Sequence, residues 1–110
     1  MGNMEKLEAL LRSIEQQLPD YPHRVLPLAQ QLLQRARELE QPFFEAQARR
    51  ALAVGFGYEG KMEEATIHAG AALDICQKLG DDRLLLRCVV TRGALFLGQG
   101  EHQPARELYQ

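Results

Sequence analysis

The feature that most constrains this chain is that it matches itself at a shift of 40 residues. The shift pairs Ala53 with Gly93, Phe56 with Phe96, Gly60 with Gly100, Ala65 with Ala105 and Ala69 with Tyr109. Run backwards, it pairs Leu33 with Leu73, Ala36 with Cys76 and Leu39 with Leu79. A period of about 20 to 50 residues, holding two helical patterns and a short turn, marks a solenoid. Each unit of such a fold leaves an apolar side uncovered until the next unit stacks on it. The pattern predicts one all-α domain over residues 1–110, made of antiparallel helix pairs in repeats 4–41, 43–80 and 82–110, the last cut short.

The helices can be placed from apolar spacing and punctuation. Leu7, Leu10, Leu11, Ile14 and Leu18 recur at threes and fours, drawing one stripe on a helix from Met4 to Leu18. Pro19 and Pro22 end it, because proline removes a donor and restrains the residue before it. The next stripe runs through Val25, Leu28, Ala29, Leu32, Leu33, Ala36 and Leu39, with Pro27 near the first turn, where a missing amide costs least. Ile14 lies eleven residues before Val25, whereas Phe56 lies nine before Ala65, so the first repeat is read as a divergent copy with about two extra residues in its turn. Further helices are expected over Phe43–Tyr58, Lys61–Leu79 and Arg83–Gln99. Gly80 is the expected stop, Asp81 or Asp82 the expected cap, and Gly100 the expected turn into a shortened sixth helix from Glu101. Gly55 and Gly57 each cost about 1 kcal/mol against Ala in a helix, so close packing of a neighbouring element is expected at both.

Composition excludes several classes. Apolar residues make up 45% of the chain, charged residues 25%, and the net charge is -2, which leaves no basic stripe for nucleic acid. No apolar run approaches the roughly 18 residues of a membrane span, and the start MGNMEKLEALLRS lacks a signal-peptide layout, so the expected compartment is the cytosol. Gly2 suggests myristoylation, but Lys6 stands where that signal needs Ser or Thr. Cys76 and Cys88 lie inside helical patterns and read as small reduced core residues, with a disulfide or redox switch as the alternative.

The residues Ala53, Phe56, Gly60, Ala65, Ala69 and Ala72, and Gly93, Phe96, Gly100, Ala105 and Tyr109 one period on, resemble the tetratricopeptide repeat family in its longer, roughly 40-residue variant. The early tryptophan and late proline of the family pattern are missing. The resemblance implies a right-handed α-α superhelix whose A helices line a concave groove. It carries the groove onto Gln47, Arg50, Val54 and Tyr58, then Arg87, Val90, Thr91 and Ala94, with Glu5, Glu8, Arg12 and Glu15 added by the first repeat. Arg50 and Arg87 read as equivalent places in successive units, two guanidinium forks suited to carboxylates, or else as solvated arginines paired with nearby acids.

Nothing in the sequence assembles a catalytic, metal or cofactor site. His23, His68 and His102 make no HExxH, and His68 and Glu64 share a helix face as a solvated pair. GFGYEG follows no strand and lacks the GK[ST] of a phosphate loop. The expected function is a non-catalytic module holding a protein or peptide partner, with no nucleic acid and no membrane. The alternative is a regulatory, self-associating part of a larger signalling protein, such as a diguanylate cyclase or a transcription activator. Leu85, Val89, Phe96 and Leu108 are the candidates for a homo-oligomeric contact, since the short third repeat would leave them wet.

Overall fold

The structure, a computed structural model, describes the backbone of residues 2–109 and the side chains of residues 2–97. It holds α1 (Asn3–Gln17), a 3-10 turn (Pro22–Arg24), α2 (Val25–Glu38), α3 (Pro42–Tyr58), α4 (Met62–Leu79) and α5 (Asp82–Tyr109), with no strand among the described residues. No helix is long and apolar enough to cross a membrane among those residues.

Left-handed residues divide the chain at regular intervals. Glu40 (φ 52°), Gly60 (φ 81°) and Gly80 (φ 69°) are each twenty residues from the next. At Gly60 the Lys61 amide donates to the Phe56 carbonyl at 2.9 Å, and at Glu40 the Gln41 amide donates to the Ala36 carbonyl at 2.8 Å. Both bonds satisfy carbonyls orphaned at a helix end. Asp81, of the two candidates, is the cap of α5: its Oδ1 accepts from the Leu84 amide at 3.0 Å.

Burial repeats in the same register. α2 buries Val25, Ala29, Leu32 and Ala36, and α4 buries Ala65, Ala69, Ala72 and Cys76, each 40 residues on. α3 buries Phe44, Ala48, Ala51 and Gly55, and α5 repeats this with Leu84, Cys88, Thr91 and half-buried Leu95. α1 departs, since its buried Leu7 and Ile14 stand 41 positions before Ala48 and Gly55, so the first turn carries one extra residue rather than two.

Successive helices pack on one another, and α1, α3 and α5 also touch in order, which sets the A helices side by side. One apolar cluster joins Leu7, Ile14, Val25, Leu32, Phe44 and Leu52; a second, of small residues, joins Ala46, Ala72, Cys76, Leu84 and Cys88. The glycines of α3 are where neighbours come closest. A Cβ at Gly55 would stand 2.7 Å from Leu26 Cδ2 and 3.1 Å from the Pro22 carbonyl oxygen, and one at Gly57 would stand 2.6 Å from Leu95 Cδ2.

Two expectations are corrected. α5 runs as one helix over Asp82–Tyr109, so the stretch from Glu101 is not a separate sixth helix. Gly100 stands inside the helix rather than at a turn, although Gly98, Gly100 and Pro104 all disfavour the helix there by local propensity. Leu85 is also not on an open face: it is half-buried against the second cluster, and the open position on that turn is Leu86. Val89 and Phe96 are exposed as expected, while the side chain of Leu108 lies outside the described residues.

Candidate functional site

The A-helix layer carries a hollow between α3 and α5. Val54, Gly57 and Tyr58 form one wall, Val90, Thr91, Ala94 and Leu95 the other, and Pro22 of the 3-10 turn closes an end, enclosing about 370 Å³. Five of the eight residues assigned to the groove from sequence line it: Val54, Tyr58, Val90, Thr91 and Ala94. The spacings 54/58 and 90/94 are one helical turn each, so each pair faces one way. Gly57 lacks the side chain that would fill the space, and Leu95 moves in against it. Tyr58 is 66% exposed at the rim, its ring stacked on His23 with centroids 5.7 Å apart. Arg24 lies over the Tyr21 ring at 4.4 Å, making the neighbouring loop a second aromatic and cationic surface.

A polar cluster drawn from α1, α3 and α5 adjoins the hollow at Thr91. Arg50 Nη1 donates to Thr91 Oγ1 at 3.4 Å, and that hydroxyl donates to the Arg87 carbonyl at 3.0 Å. Arg87 Nη1 lies 3.9 Å from Glu15 Oε1, a contact between the first and last A helices. Of the first-repeat residues expected in the groove, Glu15 is the one that the structure brings to this cluster.

Arg50 and Arg87 are neighbours, but not in the way the sequence reading had them. At the 40-residue register Arg87 corresponds to Gln47, and Arg50 to Val90. They approach because α3 and α5 are adjacent, not because they hold the same place in successive units. Burial, and then the nearby Arg87 charge, lower the Arg50 pKa below its ordinary value, with Glu15 opposing. Of the two cations, Arg87 is the one that contacts the Glu15 carboxylate. Gln47 is corrected too: it is only 5% exposed, a core position rather than an open groove contact. Its Oε1 and Arg50 Nε are buried without a hydrogen-bond partner, one turn apart on α3.

His68 does not pair with Glu64. Its Nδ1 sits 3.4 Å from Arg49 Nη1 and its ring stacks on Phe56 at 5.7 Å, while Arg49 also pairs with Glu45 at 3.0 Å. Burial and the Arg49 charge lower its pKa. Cys76 and Cys88 are buried free thiols with sulfurs 3.5 Å apart, and burial, then the hydrogen bond with Cys88, pushes Cys76 up to about 12. Among the described residues no group of three or more His, Cys, Asp or Glu side chains could hold a metal ion.

The surface features that sequence reasoning missed are the Pro22, Gly57 and Leu95 parts of the hollow. The first came from a loop whose approach to Gly55 no periodicity encodes. No protein-family model, curated protein or solved structure matches the chain.

Proposed function

We propose that this chain is a non-catalytic interaction module of the tetratricopeptide-repeat type, its helix pairs wound as a right-handed superhelix. It seats a peptide or partner helix in the hollow between α3 and α5. The observation that carries this reading is the hollow itself: an apolar floor of Val54, Val90 and Ala94, with Arg50 held against its lining residue Thr91 and Arg87 one turn before that residue on α5. Such a surface suits a segment with an apolar side chain for the floor and an acidic group for Arg50 and Arg87. Charge-assisted bonds add about 1.5–3 kcal/mol each before desolvation. The cytosol is the compartment that fits the unpaired thiols.

The test is a random peptide library displayed on phage, followed by calorimetry on the selected peptides. Enrichment of acidic-apolar sequences, with binding abolished by Ala94→Glu and weakened by Arg50→Ala with Arg87→Ala, is the expected result. Selected peptides that bind these variants as tightly as the parent would overturn it. A second reading, self-association as part of a larger signalling protein, is favoured by one observation. α5 leaves Leu86, Val89, Phe96 and Leu97 exposed along its length.

A further inference from the structure

Four exposed apolar side chains of α5 fall on one stripe with a glycine at its centre. Leu86, Val89, Gly93 and Phe96 follow one another at intervals of three, four and three residues, and Leu97 stands beside the last. At about 100° per residue all five lie within about 60° of Gly93, whereas the buried Leu84, Cys88 and Thr91 lie on the opposite side of the helix. Leu86 is 64%, Val89 49%, Phe96 64% and Leu97 70% exposed. Forty positions earlier stand Ala46, Arg49, Ala53, Phe56 and Gly57 of α3, and there the stripe is covered. Ala46 and Ala53 are fully buried, Phe56 stacks on His68 of α4, and Leu95 of α5 closes on Gly57. On α3 this stripe is the surface on which the next unit packs, and on α5 the same surface is open.

The open stripe is complementary to itself. Beside it, Leu73 of α4 and Val89, Arg92, Gly93 and Phe96 of α5 line a hollow of about 370 Å³. A two-fold axis passing between two copies of α5 at Gly93 sets them antiparallel and keeps each flank of the helix against the same flank of the other copy. Phe96, three residues after Gly93, then comes level with Val90, three before it, on the flank that carries Val89 and Leu73. Each ring therefore enters the other copy's hollow. Gly93 has no side chain at the crossing, and a Cβ there would meet nothing within 4 Å of its own chain, so the two backbones can approach closely. At roughly 200 Å² for a fully open large apolar side chain, the four present about 500 Å² per copy and about 1,000 Å² per pair, where specific interfaces begin. A two-fold contact also closes on itself, whereas head-to-tail stacking of one copy on the next would propagate into a filament.

We propose that two copies of this chain associate through the Leu86, Val89, Gly93, Phe96 and Leu97 stripe of α5, antiparallel about Gly93, with Phe96 of each seated in the Leu73, Val89 and Gly93 hollow of the other. The inference rests on the self-association reading and gives it an axis and a register.

Sedimentation equilibrium of the 110-residue chain, from low micromolar to submillimolar, measures the association, and cysteine cross-linking reads the register. A residue on the axis meets its own copy, so Gly93→Cys should give a covalent dimer on oxidation with diamide, seen by non-reducing electrophoresis. Leu86 is seven residues from the axis, which sets its two copies about 21 Å apart, far beyond the roughly 7 Å between Cα atoms that a disulfide spans, so Leu86→Cys should stay uncross-linked. The native Cys76 and Cys88 are buried and do not compete. Phe96→Asp, at an exposed position, should weaken dimerisation by at least about tenfold at unchanged helical circular dichroism. A wild type that stays monomeric throughout overturns both this inference and the self-association reading. A dimer indifferent to Phe96→Asp, or one in which Gly93→Cys links no faster than Leu86→Cys, overturns the antiparallel pairing and leaves self-association standing.

Discussion

Replacing Gly55 by alanine sets two effects of known size against each other. In an open helix the change gains about 1 kcal/mol from propensity. Here the new methyl arrives 2.7 Å from Leu26 Cδ2, 3.0 Å from Leu26 Cγ and 3.1 Å from the Pro22 carbonyl oxygen. The leucine end can rotate, but the carbonyl belongs to the backbone of the 3-10 turn and moves only if the turn does. Overpacking of this kind costs about 1–3 kcal/mol, so the net expectation is a loss of up to about 2 kcal/mol. Gly70→Ala is the control, because a Cβ there meets nothing within 4 Å and the propensity gain stands alone.

Urea unfolding followed by circular dichroism compares the two variants with the parent, at a thermal equivalent of about 4–8 °C per kcal/mol for a domain of this size. Gly55→Ala should unfold earlier and Gly70→Ala later. Because Pro22 also closes the α3–α5 hollow, Gly55→Ala should in addition weaken any peptide bound there. A Gly55→Ala protein as stable as Gly70→Ala would refute the close approach of the turn to α3.

Three further outcomes follow from particular side chains. The folded-state pKa of His68 is lowered, so the unfolded chain binds its proton more readily; this stability contribution is complete above the unfolded value near 6.5 and declines as pH falls below it toward the folded value, a slope that His68→Gln should flatten in urea titrations. Cys76 and Cys88 should resist Ellman's reagent in the native protein and react at once in denaturant, since both are buried and the Cys76 thiol is pushed up to about 12. Glu40 holds a left-handed conformation at φ 52°, so Glu40→Gly should gain up to about 1 kcal/mol in the same unfolding assay, and a loss would show that the turn is held by something other than backbone conformation.

What the sequence made legible was whatever the repeat enforces twice. Ala65, Ala69, Ala72 and Cys76 are buried where Val25, Ala29, Leu32 and Ala36 are buried, and a pattern repeated at fixed spacing overrides the β-branched run at Val89 to Thr91. Gly60 and Gly80 could be assigned to turns because they alone take a left-handed conformation without cost. Glu40 could not, since nothing in its side chain announces one. Gly100 shows the reverse limit: a residue permitted to turn is not required to, and α5 runs on through it. Within the candidate site, Val54, Tyr58, Val90, Thr91 and Ala94 were found because one turn of helix fixes which way they face. Gln47 and the Arg50–Arg87 relation were misplaced because a one-residue difference in rotation separates a groove position from a core position, and apolar periodicity does not resolve it.

The Glu15–Arg87 contact bears on how a partner would enter the groove. At 3.9 Å and about two-fifths exposed on both sides, it is a weak surface pair, of the class worth about 0–1 kcal/mol. A carboxylate arriving at Arg87 therefore displaces little, and at Arg50 it meets a cation whose charge burial and Arg87 already disfavour. The arriving charge relieves that repulsion, so the two arginines respond together, and a double-mutant cycle on a selected acidic peptide should show Arg50→Ala and Arg87→Ala to be non-additive. Glu15→Gln separates the contributions further. Removing the resident carboxylate leaves both cations to the peptide, and affinity should rise most at low ionic strength. If affinity fell instead, Glu15 would be holding Arg87 in place for the peptide rather than competing with it.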